Sequence, residues 1–162
     1  MEVIPIGRLE LIGEMEERYE KKDKEYFVQL LTHTDFVIRC RAVCILVDMG
    51  GEDVVPYIAK VLKNDRNELV RHEAAFSLGQ MCLRSGIKPL EDATRHDPSL
   101  FVRHEAAVAL GVIGSQEAKE TLQTALQDSS EQVRDSAVVA LSNLKFMESL
   151  SKNERFARLT GG

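Results

Sequence analysis

The sequence has no tryptophan, four prolines in 162 residues, and aromatics at only 6%. It also lacks clusters of β-branched residues, so a β-sandwich or barrel is not expected. The abundance of Ala, Leu, Glu and Lys points to an all-helical protein. Cysteine is scarce: Cys40, Cys44 and Cys82 are an odd number with no CxxC pair, which argues against a disulfide framework. Cys40 and Cys44 lie one helical turn apart and read as small buried residues. Excess positive charge is missing too. Twenty-one Lys and Arg against 26 Asp and Glu leave a formal charge of −5. A sequence-independent grip on nucleic acid needs a basic face, so that class is disfavoured; the charge would suit a basic protein partner, though an ordinary soluble surface explains it more simply. No apolar run approaches membrane-spanning length. The opening "MEVIPIGRLELIGEMEE" has no basic start followed by an apolar core, unlike a signal peptide. Gly-rich phosphate loops, nucleophile–base pairs at a recognisable spacing and basic-aromatic strips are likewise missing. The expectation is a single soluble, cytoplasmic domain over residues 1–162.

What the chain does contain is repetition. "VIRCRAVCILVDMG" from Val37, "LVRHEAAFSLGQMC" from Leu69, "FVRHEAAVALGVIG" from Phe101 and "QVRDSAVVALSNLK" from Gln132 align on Arg39, Arg71, Arg103 and Arg134. Steps of about 32 residues mark stacked supersecondary units. Apolar residues three and four apart, such as Val70, Ala74 and Leu78, predict that each line is a helix with this stripe turned inward; Val102, Ala106 and Leu110 repeat it. A shorter amphipathic segment precedes each line, and Gly in "MGGED" and "IGSQE" should end helices. Four helical hairpins are therefore expected, at about 25–50, 53–83, 87–114 and 116–145. A charged helix should cap the N-terminal end, and 146–162 should form a C-terminal cap and tail. The four arginines read as a structural ladder, with Asp65 and Asp128 as partners.

Within this frame the residues after the aligned arginine differ: Cys40-Arg41, His72-Glu73, His104-Glu105 and Asp135-Ser136. The outer units show that packing does not demand His-Glu. The dipeptide was either copied with the repeat or kept for chemistry. Equivalent positions on helices packed about 8–10 Å apart allow two imidazoles to share one metal ion. With one carboxylate added, the set is the two-histidine, one-carboxylate arrangement of non-haem iron sites; Zn or Mn also fits. The remaining histidines, His33 and His96, fall near turns and read as exposed.

The paired helices with "VRxxAxxAL" resemble the HEAT-repeat family, an α-solenoid architecture whose short-repeat branch also includes phycobilin lyases. "HEAAFSLGQM" followed one repeat later by "VRHEAAVALGVIG" further resembles deoxyhypusine hydroxylase. That resemblance implies a di-iron enzyme of two similar halves, each with two His-Glu motifs, which hydroxylates the deoxyhypusine side chain of a translation factor. Carried over, His72, His104 and Glu105 would ligate iron, and Glu73 would receive the amine of the substrate. Two motifs match only one half. A homodimer enclosing one or two metal ions, a single-metal protein or a partner chain could follow. The alternative function is a metal-free scaffold that binds a protein or peptide.

Overall fold

The computed structural model describes residues 6–152, and every regular element in that range is helical. The helices are α1 (Ile6–Glu20), α2 (Lys24–Leu30), α3 (Phe36–Met49), α4 (Val55–Asn64), α5 (Glu68–Met81), α6 (Ile87–His96), α7 (Leu100–Ile113), α8 (Lys119–Ala125) and α9 (Glu131–Lys152). Short 3-10 turns lead into α6 and α8. Helices α2, α4, α6 and α8 each pair with the helix that follows, and α3, α5, α7 and α9 pack in succession. The result is an α-solenoid of helical hairpins with α1 at its beginning. None of these helices is long and apolar enough to cross a membrane.

Local chemistry explains the boundaries. Asp35 and Asn67 accept hydrogen bonds from Val37 N and Leu69 N at the starts of α3 and α5, satisfying amides that have no carbonyl within the helix. Pro56 sits in the first turn of α4, where its missing N–H costs nothing. Gly114 ends α7 with φ of 68°, as expected for a left-handed cap. Gly50 ends α3 differently. Its φ is −121°, and a Cβ there would run into Val54, so space rather than backbone freedom requires glycine.

The predicted inward stripes are buried: Val70, Ala74, Leu78, Val102, Ala106 and Leu110 are all fully covered. They join one core running from Met15 to Leu144. At the C-terminal end no separate cap begins at residue 146; α9 continues unbroken to Lys152. The expected tail from residue 153 lies outside the described residues.

The arginine ladder links successive units. Arg39, Arg71 and Arg103 each clasp the aspartate of the next loop: Asp65, Asp97 and Asp128. Each also donates through Nη1 to a carbonyl of its own loop: His33 O, Asp65 O and Asp97 O. The clasping aspartates in turn accept from Asn67 N, Ser99 N and Ser130 N. One guanidinium thus ties two loops and a helix start together. Arg8 on α1 makes a similar link to Asp35. The bond to Arg103 is the main reason that Asp128 titrates below the usual carboxylate range.

Candidate functional site

His72 and Glu73 lie on α5, and His104 and Glu105 lie on α7. How these side chains meet depends on how closely the two helices approach. Gly79 is seven residues after His72, two turns along the helix, and a Cβ there would lie 2.7 Å from Ala109 Cβ. Gly111 is seven residues after His104 and makes the same approach to Ala140 on α9, at 2.8 Å. The Leu-Gly that follows each His-Glu motif therefore sets the helix spacing.

At this spacing His72 reaches the neighbouring unit. Its Nε2 is 3.4 Å from Glu105 Oε2, with side-chain exposures of 38% and 12%. Two donors about 2.0–2.2 Å from a common ion are separated by roughly 3–3.5 Å, so this pair has the spacing of one edge of a coordination shell. His104 reaches one unit further, to Ser136 on α9. Its Nδ1 is 2.6 Å from Ser136 Oγ, and that hydroxyl donates to Gln132 O at 2.7 Å. With the single serine proton engaged with the carbonyl, the tautomer that completes the network has the ring hydrogen on Nδ1, donating to Oγ. Nε2 is left as the lone-pair nitrogen of His104, the form that can ligate a metal.

Glu73 is placed differently from Glu105. Its Oε1 accepts from Cys44 Sγ at 3.0 Å. Partial desolvation of the sulfur, though the residue as a whole is exposed, and then the hydrogen bond to Glu73 push the Cys44 thiol up to about 12. Cys44 is exposed and Cys40 half-buried, so the expectation of two core residues fails for Cys44. The buried stripe of α3 runs through Ile38, Ala42, Val43 and Leu46, which turns Cys44 outward.

The structure therefore pairs His72 with Glu105, while His104 is engaged by Ser136 and Glu73 by Cys44. Among the described residues no group of three His, Cys, Asp or Glu side chains is gathered to hold a metal ion. The donor set of one chain fits an edge of a metal site rather than a closed shell. The sequence reading gives neither Ser136 nor Cys44 a functional role. The signal was their register: Ser136 occupies the glutamate position of its unit, and Cys44 the position of Phe76. His33 lies in the loop before α3, half-buried, with Nδ1 accepting from Asp35 N. His96 is the exposed last residue of α6.

Comparison with known proteins gives a consistent answer at two levels. Deoxyhypusine hydroxylase of Dictyostelium discoideum is 43% identical over 111 residues, which cover 68% of this chain and 35% of that protein. The Neurospora crassa protein of the same name is 37% identical over 146 residues, covering 83% and 45%. The solved structure of human deoxyhypusine hydroxylase in complex with glycerol superposes with a TM-score of 0.73 at 28% identity, over 91% of this chain and 50% of that one. The chain spans about a third to a half of the length of these proteins. A family model described as HEAT repeats matches residues 6–79, 25–111 and 87–153. Overlapping matches along a chain whose helix pairs stack at that period mean that it belongs to the HEAT-repeat family, and within that family it resembles deoxyhypusine hydroxylase.

Proposed function

We propose that this chain is a metal-binding hydroxylase of the deoxyhypusine-hydroxylase type, acting in the cytoplasm as a homodimer whose His-Glu faces oppose each other. The observation that carries this reading is the 3.4 Å approach of His72 Nε2 to Glu105 Oε2, across two helices brought together by Gly79. His72, His104 and Glu105 are the proposed ligands. The ordinary contact needs a proton on His72 Nε2, and a metal ion takes the place of that proton. Iron, when bound, would supply oxygen activation for hydroxylation of a side-chain carbon; the same donors also accept Zn or Mn. Glu73, which has no cationic partner among the described residues, would receive the amine of a substrate side chain on a basic protein.

Two features support the homodimer. These residues carry two His-Glu motifs, the donors proposed for one ion, and a two-fold axis would bring a second set beside them. Around the motifs, Leu69, Phe76, Phe101 and Val139 are exposed at 55%, 44%, 57% and 69%. Leu69 is three residues before His72 and Phe76 four after it, so both share its helix face, and apolar surface of this kind suits a protein contact. The same apolar residues also suit a scaffold that binds a protein or peptide without metal. Metal content and native mass of protein purified without chelators or a histidine tag separate the two readings. Bound metal lost in both His72→Ala and His104→Ala, together with a dimeric mass, supports the hydroxylase. Metal-free wild-type protein, or full metal content in the double variant, refutes the metal assignment and leaves the scaffold. A strict monomer with one ion per chain refutes the self-assembled two-metal form.

A further inference from the structure

Two copies of one dipeptide are divided by what the preceding unit presents. Glu105 meets His72 of the unit before it. Glu73 meets Cys40 and Cys44 instead, because Cys40 occupies the place of His72 and Cys44 the place of Phe76. The Cys44 thiol is the hydrogen-bond partner of Glu73, at 3.0 Å from Oε1, and no other hydrogen bond or ion pair to this carboxylate occurs among the described residues. Cys44 also faces open space, lining shallow cavities of about 700 and 440 Å³ on either side of α3. The first is rimmed by Glu16, Glu17, Glu20 and Asp48 together with Arg41, which pairs with Glu16. With its titration moved up to about 12, the thiol holds its proton at neutral pH and serves as a donor rather than a nucleophile. Cys40 is raised in the same direction, by burial first and the charge of Glu73 second.

We propose that Cys44 is a positioning residue for the amine-receiving carboxylate: its S–H donates to Glu73 Oε1 and leaves Oε2 to accept from a substrate ammonium. The proposal rests on the reading of Glu73 as that receiver. A phenylalanine, as at position 76, offers no donor to Glu105 of the next unit. The thiol is therefore what fixes the direction of Glu73, and a hydroxyl can replace it.

The test uses the full chain, with 1,4-diaminobutane as the cationic probe in titration calorimetry and matched circular dichroism as a control for folding. Glu73→Gln should weaken binding by tenfold or more, and Cys44→Ala by about 3- to 10-fold, the worth of one hydrogen bond. Cys44→Ser, which keeps a donor, should stay within about twofold of wild type. A second readout is independent of the probe: alkylation of Cys44 by iodoacetamide, resolved by mass spectrometry, should be faster in Glu73→Gln, because the carboxylate no longer suppresses the thiolate. If Glu73→Gln binds the diamine like wild type, or wild type does not bind it, the amine reading fails and the role of Cys44 falls with it. If Glu73→Gln loses binding while Cys44→Ala does not, the amine reading stands and the positioning role is overturned. Equal losses in Cys44→Ala and Cys44→Ser, or an unchanged alkylation rate in Glu73→Gln, overturn it too.

Discussion

Arg71 and Arg134 occupy the same place in their repeats, yet their replacement by alanine should have different consequences. Arg71 Nε and Nη2 donate to the two oxygens of Asp97 at 2.7 and 2.9 Å, and Nη1 donates to Asp65 O at 2.8 Å. The side chains of Arg71 and Asp97 are only 10% and 6% exposed. Removing the guanidinium leaves a nearly buried carboxylate holding only the Ser99 amide, and it also uncovers a loop carbonyl. Loss of one partner from a buried pair costs about 3–5 kcal/mol, a large share of the roughly 5–15 kcal/mol that stabilises a domain. Arg134 donates to the carbonyls of Asp128 and Ser129 at 2.7 and 3.1 Å and has no carboxylate partner among the described residues. Its removal should cost about 1–2 kcal/mol, the scale of a charge-assisted hydrogen bond in a half-buried setting. Arg71→Lys keeps the charge but loses the two-pronged fork, and should fall between the two. Urea unfolding followed by circular dichroism measures these differences. The three tyrosines lie at positions 19, 26 and 57, so their fluorescence reports on the N-terminal half. Coincident transitions by both probes establish that the array unfolds as a unit, a necessary check in stacked repeats. Equal losses for Arg71→Ala and Arg134→Ala would refute the view that the aspartate clasp is what makes the rung strong.

Other outcomes follow from the same contacts. Gly79→Ala places a Cβ within 2.7 Å of Ala109 Cβ and 3.0 Å of its Cα; α5 must withdraw from α7, lowering stability by about 1–3 kcal/mol in a thermal melt. Ser136→Ala deprives His104 Nδ1 of its acceptor, and metal affinity, read by competition with a chelating dye, should fall about 10- to 100-fold. Unchanged affinity would separate His104 from the metal. The pH dependence follows from Asp128, whose folded-state titration is lowered from 3.8 chiefly by the hydrogen bond from Arg103. A depressed carboxylate contributes stability that is present above its unfolded value and lost as pH falls through the folded one. The melting temperature should therefore drop on acidification below about pH 4. That decline should be shallower in Asp128→Asn, and an identical decline would assign the acid sensitivity to other groups.

The fold was legible because every unit must solve the same packing problem. Val70 and Val102, or Leu78 and Leu110, repeat at one spacing because each faces the next layer, and a period of 32 residues exposes that requirement in a single sequence. The ladder was legible only in part. Asp65 and Asp128 are recognisable as partners, but Asp97 is not, and nothing in one line of sequence tells whether an arginine turns to its own loop or to the next. The structure shows that it does both. The site was less legible still. Repetition made the histidines conspicuous, whereas the group that each ring nitrogen meets lies about 30 residues away, on a helix whose lateral position is set by Gly79 and Gly111. Ser136 carries no chemical flag of its own. The one-turn spacing of Cys40 and Cys44 points to the core, whereas the register that Cys44 shares with the exposed Phe76 is what places it outside.

Stability and chemistry are thus assigned to different registers of one repeat. The inward stripe and the aligned arginine recur with little change, while the two positions after that arginine vary from Cys-Arg to His-Glu to Asp-Ser without disturbing the stack. His72, more than one third exposed, belongs to the variable register. Its loss should therefore affect metal affinity far more than melting temperature. Gly79 and Gly111 are where the two registers meet: they lie at buried helix crossings, and the approach they permit brings His72 onto Glu105 and His104 onto Ser136. The corresponding positions of the first and last units hold Val47 and Ser142, and those units carry no His-Glu pair. In the two middle units glycine at the crossing and His-Glu two turns earlier occur together, which is the arrangement the proposed metal site requires.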